Sequence, residues 1–335
     1  MSIYHPVSAY RLQLHRDFNL KELEKILEYL HKLGIRTIYA SPVFRAVEGS
    51  THGYDITDPL SLNPEIGTER AFGKLTGKIH RMGMGWLQDI VPNHMAFSME
   101  NPWIRDVLVH GKQSGYYTVF DIIGDHPDRE LREKLMLPFF GKSLDGLIGD
   151  GELKLQFGER GFALVYYESE FPVSAGAYPF ILESGRMPGK LREWISAESM
   201  AAAWKTRTRK LFALCSSDPE VAGHVDRCLE RINREPERMR SLADRLCYLP
   251  VHWKETEKRI NYRRFFTING LICVNVHLEE VFEKTHGLIR TWVKEGMVDG
   301  LRIDHIDGLY DPSDYLERLR QVCGSRTYLV AEKIL

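Results

Sequence analysis

The sequence predicts an α/β fold: a parallel sheet wrapped by helices and interrupted after its third strand by a long excursion. Two observations predict it. Short apolar runs alternate with helix-period stretches near both ends of the chain, and the middle loses that rhythm. Residues 9–14 read as a strand. Leu20, Leu23, Ile26, Leu27 and Leu30 then recur at helical spacing over residues 20–33, with Gly34 as the stop. Residues 37–40 form a second short strand closed by Pro42. Residues 68–82 read as a helix capped by Thr68, with Glu69 in its first turn. Residues 86–91 complete a βαβαβ run. From about residue 95 to 265 the chain reads as irregular and then helical. Residues 200–214 and 221–231 read as Lys- and Arg-rich surface helices, a solvated face rather than a nucleic-acid patch because nearby Asp and Glu offset the charge. The βα rhythm returns with a helix over 278–295, a strand over 298–303, a helix over 312–322 and a strand over 327–331.

Composition narrows the function classes. The 335 residues include 45 Lys plus Arg against 46 Asp plus Glu, a formal net charge of −1, with 43% apolar and 27% charged residues. This is ordinary for a soluble globular chain, and its length suits two domains or one with an insertion. The near-neutral balance removes the electrostatic case for nucleic acid or anionic lipid. No apolar run approaches the ~20 residues of a membrane span, so neither nucleic acid nor membrane is expected as a partner. Arg11, His15, Arg16 and Asp17 interrupt the N-terminal stretch, against a signal peptide. The five cysteines are odd in number and lack C-x-x-C spacing, which argues against a disulfide framework and a zinc site. With no N-x-S/T sequon, this points to the cytoplasm. No Walker A loop, G-x-G-x-x-G or H-E-x-x-H occurs, so neither cofactor nor metal is expected.

Three strand-like segments end in an acid: 86–94 with Asp89, Asn93 and His94; 300–305 with Arg302, Asp304 and His305; and 328–332 with Glu332. In parallel βα folds the carboxyl ends of strands carry the active site, so such acids converge on one mouth. Arg302 and Asp304, two apart, share a face of their strand. The 28 residues from Asp304 to Glu332 match the ~30 of one βαβ unit, which sets the two acids on adjacent strands ~4.8 Å apart. Retaining glycosidases hold their carboxyl groups roughly 5–5.5 Å apart, so the spacing favours a retaining pair over an inverting one. Each residue alone has a plainer role, because an Asp at a strand end commonly caps the next helix and a lone His is commonly structural. The combination is more specific, since capping does not require Arg302 two residues before Asp304.

Residues 89–94 (Asp-Ile-Val-Pro-Asn-His), 300–305 (Gly-Leu-Arg-Ile-Asp-His) and 332–335 (Glu-Lys-Ile-Leu) resemble the first three conserved regions of the α-amylase family of glycoside hydrolases and transglycosidases. Residues 50–59 (Ser-Thr-His-Gly-Tyr-Asp-Ile-Thr-Asp-Pro), 260–266 (Ile-Asn-Tyr-Arg-Arg-Phe-Phe) and 304–312 (Asp-His-Ile-Asp-Gly-Leu-Tyr-Asp-Pro) are similar to its maltooligosyltrehalose synthase branch. The resemblance runs from about residue 8 to the end. It implies a (β/α)8 TIM-type barrel acting on α-1,4-glucan chains, here incomplete with about five of eight strands. Residues 1–94 would carry strands 1–3, residues 95–265 a mainly helical inserted subdomain or lid, and residues 266–335 strands 4 and 5. By position, Asp304 matches the nucleophile and Glu332 the general acid/base. Arg302 would hold Asp304 ionised, and His94, Asp89, Asn93, Tyr54, His52 and His305 would lie against the substrate. The implied reaction moves the reducing-end α-1,4 linkage of a maltooligosaccharide to an α,α-1,1 linkage with net retention. Trp103, Tyr116, Tyr117, Trp194, Trp204 and Trp253 are candidates for sugar stacking in the lid, with core packing the commoner role for any one of them.

The sequence departs from the pattern in two places. The family's fourth region, a His-Asp pair whose Asp supports the transition state, has no counterpart, and the barrel portions fall short of the ~250 residues of a typical barrel. Thr267 and Gly270 stand where the branch usually has Asp. The expectation is therefore double. Either the polypeptide works as part of a larger synthase, completed by a missing C-terminal half, or it is a truncated fragment with at most weak α-glucan binding. Another α-amylase-family hydrolase is a further alternative.

Overall fold

The computed structural model describes residues 4–183, 185–196 and 204–334. They form two compact units. The first runs from the start to Asn101, takes in Thr118–Asp121 and resumes from Arg264; the second holds Pro102–Tyr117 and Ile122–Arg263.

The first unit begins with β1 (Ala9–Leu12), α1 (Leu20–Lys32) and β2 (Thr37–Ala40). The Asn19 side chain accepts from the backbone N–H of Lys21 and Glu22 and caps α1, which buries Leu20, Leu23, Leu27 and Leu30. A hairpin of β3 (Phe44–Ala46) and β4 (Ile56–Leu62) follows; no strand was expected there. α2 (Glu69–Arg81), capped by Thr68, leads into β5 (Gly85–Ile90), and β6 (His94–Ala96) lies just beyond. All six residues of β5 are buried, as expected of a central strand covered on both faces. Its polar members are satisfied: Gln88 accepts from Trp86 Nε1 at 3.0 Å and donates to the Ser41 carbonyl at 3.1 Å.

The second unit contains helices and more β-structure than the sequence suggests. Its first element is α3 (Pro102–His110), followed by β7 (Leu135–Phe140) and α4 (Leu144–Gly149). Then come β8 (Leu153–Gly158), β9 (Gly161–Tyr166) and β10 (Ser169–Pro172), a three-stranded antiparallel sheet. Five helices follow: α5 (Tyr178–Leu182), α6 (Gly189–Ser196), α7 (Trp204–Ser217), α8 (Pro219–Arg234) and α9 (Pro236–Ala243). β11 (Tyr248–His252) pairs in parallel with β7. Of the helix expected over 200–214, residues 200–203 lie outside the described residues. The helix expected over 221–231 is α8, which buries Val221, His224, Val225, Cys228 and Ile232 and so has a core face as well as a solvated one.

Back in the first unit, β12 (Leu271–Cys273) pairs with β6. The helix expected over 278–295 is two helices, α10 (Glu279–Thr285) and α11 (Gly287–Lys294), broken at His286. The buried His286 ring lies 2.9 Å from the Phe282 carbonyl through Nδ1 and 2.8 Å from Tyr315 Oη through Nε2, and this tertiary contact fixes the bend. β13 (Gly300–Ile303), α12 (Pro312–Cys323) and β14 (Tyr328–Ala331) complete the unit. Its main sheet is five-stranded and parallel throughout, in the order β1-β2-β5-β13-β14. β1 and β14 are its edges, and Tyr10 on β1 is 44% exposed.

At the amino-terminal end of this sheet, Asp299 Oδ2 accepts from the Trp86 backbone N–H at 2.7 Å and lies 2.8 Å from His80 Nε2. The hydrogen bond to Asp299 raises the His80 pKa above its ordinary value against the opposing effect of burial. A raised histidine stabilises the fold fully below its unfolded pKa of ~6.5 and loses that contribution as pH rises through the folded value. Urea denaturation at pH 5.5 and pH 8.5 should show the native chain losing more stability across this interval than His80→Gln. Equal changes in the two proteins would contradict the contact's role.

Candidate active site

The acids flagged by the sequence meet at the carboxyl ends of three adjacent strands. Arg302 on β13 is in register with Asp89 on β5 and Val330 on β14. The Asp304 backbone N–H donates to the Ile90 carbonyl and that of Glu332 to the Ile303 carbonyl, both at 2.9 Å, so the ladder runs on to the two acids.

One guanidinium gathers three carboxylates. Arg302 Nη1 donates to Asp89 Oδ1 at 3.0 Å, Asp89 Oδ2 at 3.1 Å and Asp304 Oδ1 at 2.6 Å. Its Nη2 lies 2.9 Å from Glu332 Oε1. Asp89 is fully buried; its Oδ2 also accepts from the hydroxyls of Tyr54 at 2.6 Å and Tyr39 at 3.0 Å. Arg11 Nη2 donates to the Tyr54 hydroxyl at 3.1 Å, and its guanidinium sits over the Tyr39 ring. Burial raises the Asp89 pKa although Tyr54, Arg302 and Tyr39 pull against it. Burial and the neighbouring Asp89 charge push the Tyr39 hydroxyl up to about 12.

The Asp304 carboxyl differs from the simple expectation. Arg302 is in contact and pulls its pKa down, yet burial wins and carries it up to about 6, with Asp89 and Glu332 adding to the rise. The reason is division: a guanidinium shared among three acids compensates each of them less than one held by Asp304 alone. Glu332, 41% exposed, has both oxygens occupied, Oε1 by Arg302 and Oε2 by the His305 backbone N–H at 2.9 Å. His305 adopts φ 46°, in the left-handed region, which aims that N–H at Glu332. Its ring lies 4.8 Å from Phe265 and 5.1 Å from Phe266, centroid to centroid.

His94 is 1% exposed and packs on Phe265 at 4.4 Å. Its Nδ1 lies 3.4 Å from Asn93 Nδ2, while its Nε2 has no hydrogen-bond partner among the described residues. Burial, reinforced by His305, pushes its pKa down to about 4, so the ring is neutral at pH 7. A buried ring nitrogen without a partner costs free energy unless a ligand hydroxyl meets it. His52 acts on the loop rather than on the carboxylates: its Nδ1 accepts from the Tyr54 backbone N–H at 3.0 Å. Gly53 in that loop has φ 77°, and a Cβ there would collide with the Pro42 carbonyl oxygen, so only glycine fits.

Sequence reasoning missed Tyr39, Arg11 and Phe265. A signal existed for the first two, because each is a polar group inside a short apolar strand and they are direct partners across β1 and β2. In the second unit, Trp103 and Trp194 are buried, and Trp103 stacks on Tyr116 at 5.2 Å, so both serve packing. Trp253 is 49% exposed. Among the described residues no group of three or more His, Cys, Asp or Glu could hold a metal ion, and no helix is long and apolar enough to cross a membrane.

With this geometry in view, comparison with known proteins shows what the chain resembles. Residues 18–134 match the family model described as Alpha amylase, catalytic domain. The chain is 32% identical over 339 aligned positions to the putative maltooligosyl trehalose synthase of Mycobacterium tuberculosis (strain ATCC 25618 / H37Rv), which covers 98% of this chain and 35% of that protein. A solved maltooligosyltrehalose synthase from Arthrobacter ramosus superposes with a TM-score of 0.74 at 32% identity, again over 98% of this chain and 35% of that one. A glycosyltrehalose synthase structure gives 0.73 at 32% identity, over 98% of this chain and 37% of that one. The chain thus resembles maltooligosyltrehalose synthases over nearly all its length while spanning about a third of theirs.

Proposed function

We propose that the first unit is the leading five strands of an incomplete (β/α)8 barrel, with residues 95–265 inserted after its third strand, and that it carries the retaining half of a maltooligosyltrehalose synthase site. One observation carries this reading: a single guanidinium, Arg302, holds Asp89, Asp304 and Glu332 at the ends of three neighbouring parallel strands. The relatives' name supplies the substrate class, a maltooligosaccharide.

In this reading Asp304, ionised above about pH 6, attacks the anomeric carbon of the glucosyl residue next to the reducing end. Glu332 leaves Arg302, takes up a proton from solvent and gives it to the glycosidic oxygen, and the C–O bond to the terminal glucose breaks. The released glucose stays in place. Glu332, now a base, takes the proton from its anomeric hydroxyl, and that oxygen displaces Asp304. Two inversions give net retention and an α,α-1,1 linkage, so the overall reaction is an isomerisation. His94 Nε2, buried and unpartnered, suits a hydroxyl of the sugar being transferred. Asn93, Tyr54, His52 and His305 line the approach, and Asp89 with Tyr39 keeps Arg302 in place.

The third acid of the family pattern has no match in these 335 residues. The account therefore assigns turnover to the chain together with the portion that full-length relatives add, and at most weak glucan binding to the chain alone. Incubation with maltopentaose tests both parts. The chain alone should consume nothing. The same sequence joined to the remainder of a relative should lose reducing ends without accumulating glucose. Glucose and short maltosaccharides accumulating instead would make it a hydrolase.

A further inference from the structure

The second unit encloses a cavity of about 740 Å3 that the proposed reaction does not use. Its lining carries four cations: Arg105 from α3, Arg160 from the turn joining β8 to β9, and Lys205 and Arg209 from α7. None of the four makes a hydrogen bond or ion pair with a described residue. Other cations of the same unit are paired, Lys142 with Asp150 and Glu152, Lys190 with Asp218, and Arg240 with Asp145 and Glu237. Lys205, Arg209 and Arg160 are exposed, and a solvated cation needs no partner. Arg105 is different: it is half-buried and shares two adjoining cavities with the like-charged Arg160.

Among the described residues two acids line this cavity and a third, the exposed Glu170 of β10, lines the adjoining one; none bonds to Arg105, and Glu170 offsets its charge only through space. Asp106 accepts from Ser114 Oγ at 2.6 Å and lies 3.8 Å from His110, while Glu159 stands on the exposed turn. Leaving a half-buried guanidinium beside a like charge costs free energy, and an anion entering the cavity removes that cost. Guanidinium groups bind phosphate by paired N–H donors. The half-exposed Trp204, edge-on to Tyr178 at 4.5 Å, supplies an aromatic wall for whatever carries the anion.

We propose that this cavity is a binding site for a phosphate-bearing small molecule, with Arg105 as its central contact and Arg160, Lys205 and Arg209 as its electrostatic surround. The site belongs wholly to the second unit, so the proposal stands or falls independently of the reading of Asp304 and Glu332.

The test uses the whole 335-residue chain, with inorganic phosphate and glucose 6-phosphate as probes and sodium chloride at matched ionic strength as the control. Thermal unfolding and calorimetric titration supply the readouts. Phosphate should raise Tm where chloride does not, and Arg105→Met should weaken phosphate binding about tenfold or more. In the absence of phosphate, Arg105→Met should melt no lower than the native chain, because it removes a half-buried charge that no acid touches while keeping the apolar stem. Arg160→Gln should weaken binding in the same direction, and Lys190→Ala, outside the cavity, should leave it unchanged. Tighter binding of glucose 6-phosphate than of phosphate would assign the carrier's ring to the aromatic wall, and equal binding would assign the site to the free anion. Equal Tm shifts with phosphate and chloride, unchanged phosphate affinity in Arg105→Met, or a lower phosphate-free Tm for that variant would each overturn the proposal.

Discussion

Arg302→Met is expected to destabilise the chain by about 3–5 kcal/mol, the cost of leaving buried charge without its partner. Asp89 suffers most. It is 0% exposed, and without Arg302 only the Tyr39 and Tyr54 hydroxyls support its charge. Asp304 and Glu332 also lose the cation between them and repel one another. Urea denaturation at pH 7 measures the loss. Adding Asp89→Asn to Arg302→Met should recover part of it, because the double variant no longer buries a lone carboxylate at β5. A loss below ~1 kcal/mol, the usual worth of an exposed ion pair, would mean that Arg302 does not organise the site.

Asp304→Asn is expected to separate activity from stability. Turnover of maltopentaose by the completed enzyme should fall by roughly 10^4–10^6, the range seen when a residue of a covalent catalytic set is removed. Stability should move the other way. The Asp304 carboxyl sits at about 6 in the fold against an ordinary value of 3.8. Between these values the folded chain holds a proton that the unfolded chain has lost, so stability declines as pH rises from about 4 through about 6. An amide at this position cannot ionise and lacks this slope. The variant should match the native chain near pH 4 and exceed it at pH 7, measured by thermal unfolding across that range. Retained turnover would remove Asp304 as nucleophile. A variant less stable at pH 7 would mean that the bond to Arg302 outweighs the cost of burying the charge.

Much of the first unit was legible in the sequence because local and tertiary preferences agree there. Asn19 and Thr68 cap α1 and α2 where the apolar period begins, and the wholly buried β5 sets Trp86, Leu87 and Ile90 around the polar Gln88 and Asp89. The site was legible through position: Arg302 two residues before Asp304, and Glu332 one βα unit on, land on one face of adjacent strands. What escaped was set by contacts distant in the chain. β3, β6 and β12 have three residues each, too few to show a period. The break between α10 and α11 depends on Tyr315, far along the chain from His286. The upward shift of Asp304 escaped for a related reason, because the sequence shows Arg302 beside it but not that Asp89 and Glu332 draw on the same guanidinium.

The central claim is that Asp304 and Glu332 share one site. Carboxyl-carbon NMR titration of the chain, with Asp304→Asn to assign the signal, tests it most directly and needs no turnover. The account predicts that the Asp304 carboxyl titrates near 6 and that Glu332→Gln lowers its midpoint, since a neighbouring negative charge contributes to the rise. A midpoint unmoved by Glu332→Gln would place the two carboxyls out of each other's reach and contradict the retaining pair.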